Sequence, residues 1–510
     1  MLSVKNPIMT GFFPDPSICR VGNKFYTVHS TFAYFPGVPV FESEDLVHWN
    51  LISNVLDRDS QVPLSGCQHS EGIFAPTIRY HKGTWYMITT NVSDQGNFIV
   101  TAKDPRGPWS EPYYLGESTG GIDPSLFFDD DGTCYYIGQR PRSAGYRYNG
   151  DCEIWVQTLD LDTMQLKPDA TIVLTGFQRK AIWPEGPHLY KKDGYYYILH
   201  AESGTSIHHS VMIARSKNVF GPYEYCPCNP ILTHRHLGAQ YPVTCVGHAD
   251  LVDDGNGNWY MVVLACRPNQ GYTLLGRETF LAKVTWEDGW PVVNAGVGHL
   301  EEVVTLPYEG QPSGDAPQCK TYTFDTPSLP PELLTLRNHR DHELELHAEG
   351  HFVRLFHRCD SLKDCGEPAY LALRQQHWNC EFETSFMPHF CKENDCAGVA
   401  MVQSNENHLR AECYPQDSGV KLVVFLCKDS KDNPLAQIDM QPQAAIRLKL
   451  RVEGLVASVL YQSGTEWKTA ASGIDLRSLS TEHAGGFVGC TLGLYASGNG
   501  EDAGGYSDFE

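Results

Sequence analysis

The chain has 510 residues, which is too long for one hydrophobic core and predicts two or more domains. Hydrophobic residues make up 41% of the chain and charged residues 20%, a composition that is typical of a soluble globular protein and excludes a disordered one. The formal net charge of -22 would be repelled by nucleic acids and anionic membranes, so we expect a neutral substrate or partner, although solubility alone would also explain this charge.

The first residues, MLSVKNPIMTGFFPDPS, lack the charged and apolar regions of a signal peptide. No apolar run in the sequence reaches the length of a membrane-spanning helix. The 17 cysteines are an odd number, so they cannot all pair within one chain. We therefore expect a cytoplasmic protein with reduced cysteines and no membrane partner, and we leave open whether it is a monomer or a homo-oligomer.

A repeat occurs five times in the N-terminal part of the chain. Each copy begins with a small or acidic residue followed by Pro, or by Ala in the last copy, and continues through a short apolar strand, a glycine turn and an aromatic-rich strand. Such paired runs are typical of β-hairpins. The copies are FPDPSICRVGNKFYTV, FAPTIRYHKGTWYMIT, IDPSLFFDDDGTCYYIG, EGPHLYKKDGYYYILH and GHADLVDDGNGNWYMVV, with turn glycines Gly22, Gly83, Gly132, Gly194 and Gly257.

The spacing of these copies predicts the architecture. Four strands per copy, repeated at intervals of 48 to 63 residues, indicate a five-bladed β-propeller over residues 1–305. A solenoid is the alternative, but its repeats are normally shorter and more uniform. Residues 306–318, LPYEGQPSGDAPQ, have the composition of a linker. Residues 319–510 show alternating apolar strands and no helical period, which predicts a β-sandwich and an all-β protein.

The repeat alignment also places ionisable residues at one equivalent point. Immediately before the strand-opening Pro or Ala, or two positions before it, the copies carry Asp15, Ala75, Asp123, Glu185 and His248. The first strand of each propeller blade lines the central channel, so these positions converge on one axial site. An Asp before Pro is common in turns and is weak evidence by itself. Four ionisable groups at matching positions would be a rare coincidence.

Two kinds of site explain this convergence. Like charges raise each other's pKa, so three carboxylates brought together destabilise a fold and indicate a functional site. In glycoside hydrolysis, one protonated carboxyl protonates the leaving oxygen, one carboxylate activates water, and a third raises the pKa of the acid. No cofactor is required in this interpretation. A central divalent cation such as calcium, with His248 as a candidate ligand, is the second interpretation.

Several motifs together resemble glycoside hydrolase family 43, most closely its β-xylosidase and α-L-arabinofuranosidase branch. These motifs are GFFPDPSICR, STFAYFPGVPVFESEDLVHW, GGIDPSLFFDDDG, EGPHLYKKDGYYY, GHADLV and LGRETF. LPPELLTLRN (329–338) and LALRQQH (371–377) are similar to the concanavalin-like sandwich domain that accompanies this branch. The resemblance covers nearly the whole chain.

The resemblance implies an inverting, exo-acting glycosidase. It would release terminal α-L-arabinofuranose, β-D-xylose or both from xylo- or arabino-oligosaccharides. By resemblance, Asp15 is the general base, Asp123 modulates the pKa of the acid, and Glu185 is the general acid.

The resemblance also implies a sugar pocket. Phe32, His248 and Arg277 match residues around the terminal sugar, and Phe74 stands where many β-xylosidase relatives carry Trp. A smaller wall at Phe74 favours arabinofuranose or admits both sugars. Thr205 is a candidate for the pocket rim, with an ordinary turn residue as the alternative.

Two rival functions are open at this point. A propeller glycosidase of another specificity, such as a fructosidase, would retain the anomeric configuration of its product. A lectin-like carbohydrate-binding protein would have an inactive site, but the presence of Asp15, Asp123 and Glu185 argues against it.

Overall fold

The computed structural model describes residues 1–116, 120–310, 319–338, 343–441, 444–502 and 504–510. Nearly all of its regular structure is β-strand, which confirms the predicted all-β class. Helical segments are short: α1 spans Thr481–Ala484, and 3₁₀ turns span Phe177–Arg179, Ala348–Gly350 and Arg477–Leu479. Within the described ranges, no helix has both the length and the apolar character needed to cross a membrane.

The strands of the propeller follow one another in tight hairpins. In chain order they are β1 (Leu2–Lys5), β2 (Ser17–Val21), β3 (Lys24–Val28), β4 (Tyr34–Phe35), β5 (Gly37–Ser43), β6 (Asn50–Leu56), β7 (Thr77–His81), β8 (Thr84–Asn91), β9 (Gly96–Ala102), β10 (Tyr113–Tyr114), β11 (Ile122–Phe128), β12 (Cys134–Pro141), β13 (Cys152–Asp160), β14 (Gln165–Leu166), β15 (Thr171–Thr175), β16 (Glu185–Lys192), β17 (Tyr195–Glu202), β18 (Ser210–Ser216), β19 (Glu224–Tyr225), β20 (Thr244–Asp253), β21 (Trp259–Cys266), β22 (Glu278–Glu287), β23 (Trp290–Val293) and β24 (Val303–Leu306).

Five antiparallel sheets form the five predicted blades. Their strand orders are β2-β3-β5-β6 in blade I, β7-β8-β9-β10 in blade II, β11-β12-β13-β14 in blade III, β16-β17-β18-β19 in blade IV and β20-β21-β22-β23 in blade V, and β15 adds to blade III by pairing with β13. Each repeat seen in the sequence is the hairpin of the first two strands of a blade. In the first turn Gly22 has a φ of 63°, and a Cβ there would meet nothing within 4 Å, so glycine is needed for backbone conformation and not for space.

Aromatic side chains of the second strands pack one blade on the next. The ring centroids of Tyr26 in blade I and Trp85 in blade II lie 4.6 Å apart, and those of Tyr197 in blade IV and Trp286 in blade V lie 5.1 Å apart. Burial of these large rings explains why each copy carries an aromatic-rich strand. The ends of the propeller chain meet outside the blades, where β1 pairs with β24.

The second domain is the predicted sandwich of two antiparallel sheets. Its strands are β25 (Leu334–Leu336), β26 (Leu344–His347), β27 (Phe352–Phe356), β28 (Ala369–Arg374), β29 (Asn379–His389), β30 (Cys396–Val402), β31 (His408–Gln416), β32 (Gly419–Lys428), β33 (Lys431–Met440), β34 (Ile446–Glu453), β35 (Val456–Ser463), β36 (Glu466–Asp475), β37 (Thr491–Ser497) and β38 (Tyr506–Phe509). One sheet has the order β33-β32-β31-β30-β37-β28-β25-β4 and the other β26-β27-β38-β29-β34-β35-β36.

The two domains share a sheet and a core. Strand β4 comes from the propeller but forms the edge of the eight-stranded sandwich sheet, where Phe35 pairs with Thr335 and Tyr34 with Leu336. The completely buried Arg337 donates from Nε to the carbonyl oxygen of Cys67 over 2.7 Å. This exchange of a strand between the domains was not predicted from the sequence. Of the predicted linker 306–318, residues 311–318 lie outside the described residues.

Candidate active site

The inner strands bring the predicted ionisable residues to the channel axis. Asp15 precedes β2, Asp123 lies in β11, Glu185 begins β16, and His248 lies in β20. Blade II contributes the small Ala75 at the equivalent point.

Irregular backbone at these points turns the side chains toward the axis. The pairing register of the inner strand shifts next to Asp123, Glu185 and His248. The backbone φ angle is 53° at Asp15, 57° at Asp123 and 48° at His248. This is a left-handed conformation that residues other than glycine rarely adopt. Bulges and strained backbone of this kind occur where a strand re-aims a side chain at a functional site.

Asp15 is held as an anion. Its Oδ1 accepts from Arg277 Nη1 over 2.9 Å, its Oδ2 accepts from Ser30 Oγ over 2.6 Å, and His248 Nδ1 lies 3.7 Å from Oδ1. Burial by itself would raise the pKa of Asp15, but Arg277, His248 and Ser30 together hold that pKa below its ordinary value. Asp15 is therefore ionised at neutral pH and can accept a proton.

Glu185 is displaced in the opposite direction. Burial raises its pKa well above the ordinary value, the negative charges of Asp123 and Asp15 raise it further, and Arg277 opposes them. Burial also raises the pKa of Asp123, to about 6. The described residues place no hydrogen-bond donor on the Glu185 carboxyl. These surroundings disfavour the ionised form of Glu185, which suits it to hold a proton and to give it to a leaving group.

Gly186 explains the E-G-P motif. Its N–H donates to Asp123 Oδ2 over 2.9 Å, and an added Cβ would lie 3.0 Å from the imidazole ring of His248. Its φ of 59° also favours glycine. Gly186 therefore lets the histidine of blade V approach the acids of blades III and IV.

Three phenylalanine rings enclose the space beside Asp15. The ring of Phe32 lies 5.7 Å from that of the half-buried Phe74, edge to face, and 6.1 Å from that of Phe487, nearly parallel to it. The guanidinium of Arg277 lies over two of these rings, 5.7 Å from Phe32 and 5.2 Å from Phe487. Rings around a charged, concave site are typical of a binding pocket for a small ligand.

Phe487, which the sandwich domain inserts into the pocket, was not predicted from the sequence. Its backbone N–H donates to Ser70 Oγ of the propeller over 2.8 Å. The backbones of Gly276 and Gly489 meet beside it, since a Cβ on Gly489 would lie 2.8 Å from the nitrogen of Gly276. The two glycines of GGFV were the only signal in the sequence, and nothing local to that motif indicates the other domain.

His209 was also not predicted from the sequence. His209 is buried, its Nδ1 faces the carbonyl oxygen of Cys245 over 3.1 Å, and burial lowers its pKa to about 3. Because Nδ1 must carry the proton to donate to a carbonyl, Nε2 is an unprotonated acceptor.

Thr205 lies in the turn after β17 beside Gly204, which packs on Trp183. Its place on the pocket rim stays a prediction.

A cleft between blades II and III opens next to these residues. Its volume is about 800 Å³. Ile122, adjacent to Asp123, forms part of one wall, and Asn91, which pairs with the residue before Phe74, forms part of another. The exposed rings of Tyr146 and Trp183 complete the lining at the mouth. The enclosed carboxylates thus continue into a groove that is large enough for further groups of a ligand.

Sequence and structure comparisons identify similar proteins. A family model described as glycosyl hydrolases family 43 matches residues 4–291, and one described as a beta xylosidase C-terminal concanavalin A-like domain matches residues 321–510. A Butyrivibrio fibrisolvens protein named xylosidase/arabinosidase is 51% identical, over 100% of this chain and 98% of its own length. A non-reducing end alpha-L-arabinofuranosidase of Bacteroides ovatus is 37% identical, over 99% of this chain and 93% of its own length. The solved structure of xylan beta-1,4-xylosidase from Bacillus halodurans C-125 matches with a TM-score of 0.90 at 33% identity, covering 99% of this chain and 98% of that one.

Proposed function

We propose that this chain, which belongs to glycosyl hydrolases family 43, removes single pentose residues from the non-reducing ends of oligosaccharides with inversion of configuration. The observation that carries the proposal is that one channel holds two carboxyl groups in opposite surroundings. Arg277 and Ser30 bind Asp15 and hold its pKa low, whereas burial and the negative charges of Asp123 and Asp15 raise the pKa of Glu185. This arrangement favours the two protonation states that hydrolysis needs, an ionised base and a protonated acid.

In the proposed reaction, two proton transfers accompany one displacement. Glu185 gives its proton to the glycosidic oxygen as the bond from that oxygen to the anomeric carbon breaks. Asp15 takes a proton from a water molecule whose oxygen forms the new bond to the anomeric carbon from the opposite face. At the end of the cycle Asp15 is protonated and Glu185 is ionised, and one proton passes to solvent and another returns to Glu185.

The neighbouring residues support these roles. The negative charges of Asp123 and Asp15 help to keep the proton on Glu185, while Arg277 and His248 keep Asp15 ionised. Arg277 binds Asp15 and also lies over the aromatic wall, so one side chain fixes the base relative to the sugar pocket.

The shape of the site supports exo action on a small sugar. The rings of Phe32, Phe74 and Phe487 close the inner end of the site, whereas the cleft lined by Tyr146 and Trp183 is open to the rest of a substrate chain. We propose that the terminal pentose occupies the enclosed part and that the leaving oligosaccharide lies in the cleft. The names of the relatives, xylosidase/arabinosidase and alpha-L-arabinofuranosidase, support a pentose.

The experiment that tests this proposal compares kcat/KM on 4-nitrophenyl α-L-arabinofuranoside and 4-nitrophenyl β-D-xylopyranoside. We expect turnover of at least one of them, with the arabinofuranoside favoured or both accepted because residue 74 is Phe. Turnover of neither pentoside, together with turnover of a hexoside or a β-fructoside, would refute the proposed substrate. Binding of arabino-oligosaccharides without turnover would show a lectin-like protein instead.

A further inference from the structure

Beneath the axial residues, the inner strands carry a second ring of polar side chains that face the channel. Each member follows an axial residue along the chain by two positions, or by three in blade IV, where the strand bulges. All five are buried. The ring consists of Ser17, Thr77, Ser125, His188 and Asp250.

Arg79 extends its guanidinium into this ring. It lies two residues beyond Thr77 on β7 and therefore points to the same face of the strand. Its Nη1 donates to Ser17 Oγ over 3.1 Å and to Asp250 Oδ2 over 3.0 Å, and its Nη2 donates to His188 Nδ1 over 3.2 Å. One cation thus contacts side chains of three other blades.

The ring is electrically balanced by this arginine. Asp250 has no exposed surface, and burial would raise its pKa, but Arg79 and the neighbouring His188 and Tyr190 bring that pKa to about 2. Burial lowers the pKa of His188 to about 3, and the charge of Arg79 acts in the same direction. The cluster therefore contains one cation, Arg79, and one anion, Asp250, and a neutral histidine lies between blades III and V.

The ring connects all five blades. Ser125 Oγ of blade III lies 3.0 Å from His188 Nδ1 of blade IV, and the Arg79 guanidinium of blade II joins this pair to Ser17 of blade I and Asp250 of blade V. Each joined strand contains an axial residue or begins two positions after one, and the axial residues of blades I, III and IV carry the three carboxyl groups. The spacing of these carboxyl groups therefore depends on the ring.

We propose that Arg79 is a positioning residue for the hydrolysis, and that its guanidinium, not a divalent metal ion, is the cation at the centre of this channel. The inference rests on the glycosidase activity proposed above. Removing the guanidinium leaves Asp250 as a buried anion without its main partner, and the inner strands lose their common contact. Small displacements of reacting groups lower the rate of the chemical step more than they weaken ground-state binding.

Chemical rescue tests this role. The opposite end of the channel opens to solvent through a cavity of about 290 Å³ that includes Arg79 and Tyr190 in its lining, so a free guanidinium ion can reach the vacated position. We expect Arg79→Ala to lower kcat about 100-fold, the cost of an error near 1 Å in placement, with little change in KM. Millimolar guanidinium chloride should restore part of kcat, and sodium chloride at the same ionic strength should not.

Two further variants keep the test decisive. Arg79→Lys retains the charge and the stem, but one ammonium group cannot contact Ser17 and His188 together, so kcat should fall less than in the alanine variant, by about 10-fold. Arg20→Ala is the matched control, because Arg20 lines the same cavity and binds Asp253 over 3.1 Å without touching the ring. Its kcat should equal that of the wild type and should not respond to guanidinium.

The outcomes separate this inference from the proposed function. An inactive wild-type protein would refute the proposed function. An active wild type whose folded Arg79→Lys variant has an unchanged kcat would overturn the positioning role. Loss of wild-type activity on dialysis against EDTA, with recovery on adding calcium, would overturn the assignment of the guanidinium as the central cation.

Discussion

Asp15 and Glu185 belong to one channel but differ in the charges around them. Asp15 has Arg277 within hydrogen-bond distance and His248 nearby, whereas Glu185 faces the acidic Asp123 and Asp15. Burial alone would raise the pKa of both groups, so the difference arises from their neighbours: Arg277, His248 and Ser30 at Asp15, and the two other carboxylates at Glu185. The assignment of base and acid follows from this asymmetry.

Substitution of each carboxyl residue should have a different dependence on the leaving group. Glu185→Ala should lower kcat/KM about 10²–10⁴-fold on natural oligosaccharides, the usual contribution of general acid catalysis. The reason is that the oxygen of a departing sugar must be protonated before it can leave. The loss should be much smaller on nitrophenyl glycosides, whose leaving group is stable without a proton. Asp15→Ala should be severely impaired on both, because water must be activated in either case.

The comparison of both variants on both substrates is informative when chemistry limits the rate. Equal losses for Glu185→Ala on the two substrates would count against its role as the acid. A fully active Asp15→Ala enzyme would refute the mechanism.

The pH profile should report the charge of Asp123. Asp123→Asn removes a negative charge that raises the pKa of Glu185, while Asp15 still raises it and Arg277 still lowers it. Because Glu185 must be protonated to act, the alkaline limb of kcat/KM on an oligosaccharide should move to lower pH. A limb that stays in place, or moves to higher pH, would mean that Asp123 does not act on Glu185 through its charge.

The repeated hairpins could be predicted because the two strands and the turn of each hairpin are contiguous in the chain. The axial positions followed from aligning the copies, so Asp15, Asp123, Glu185 and His248 were found together. The bulges and left-handed φ angles that aim these side chains were not predictable, since the motifs surrounding them also occur in ordinary turns.

Contacts between distant segments could not be predicted from one sequence. Phe487 and strand β4 each cross to the other domain, and their local sequences carry no mark of the partner. The second ring of polar side chains was not predicted for another reason. Most of its members are common polar residues, and only Arg79 and Asp250 give the cluster its charges. If the five repeat copies are compared two positions beyond the axial residues, or three in blade IV, the members of this ring fall at equivalent positions.

The loop that carries Phe487 should control sugar binding. Phe487→Ala removes a ring that packs on both Phe32 and Phe74, so we expect KM for the pentoside to rise about 10-fold, in line with the loss of one pocket contact. Phe352→Ala is the control, because Phe352 is also a half-buried sandwich phenylalanine but packs on His347, in the other sheet. Equal KM values for both variants and the wild type would show that Phe487 does not line the sugar site.

The propeller and the sandwich depend on each other. One hydrophobic core contains Val28, Ile73 and Phe98 of the propeller together with Leu334 and Tyr495 of the sandwich. The second domain therefore covers apolar surface of the first and completes its pocket. The two domains are separate in the sequence but share one hydrophobic core.

Removal of residues 319–510 should abolish activity, solubility or both. The deletion exposes the shared core, removes Phe487 from the pocket and leaves β4 without its partner β25. Solubility and kcat/KM of fragment 1–318 are the measurements. A soluble fragment with full activity would show that the sandwich is dispensable.

The stereochemistry of the first product distinguishes an inverting from a retaining glycosidase. Proton NMR can follow the hydrolysis of a β-D-xylopyranoside before the released sugar equilibrates between its anomers. With Asp15 activating water on the face opposite the leaving group, the first signal to appear should be that of α-xylose. Initial appearance of β-xylose would refute the inverting mechanism, because it would require a covalent intermediate and make Asp15 a nucleophile.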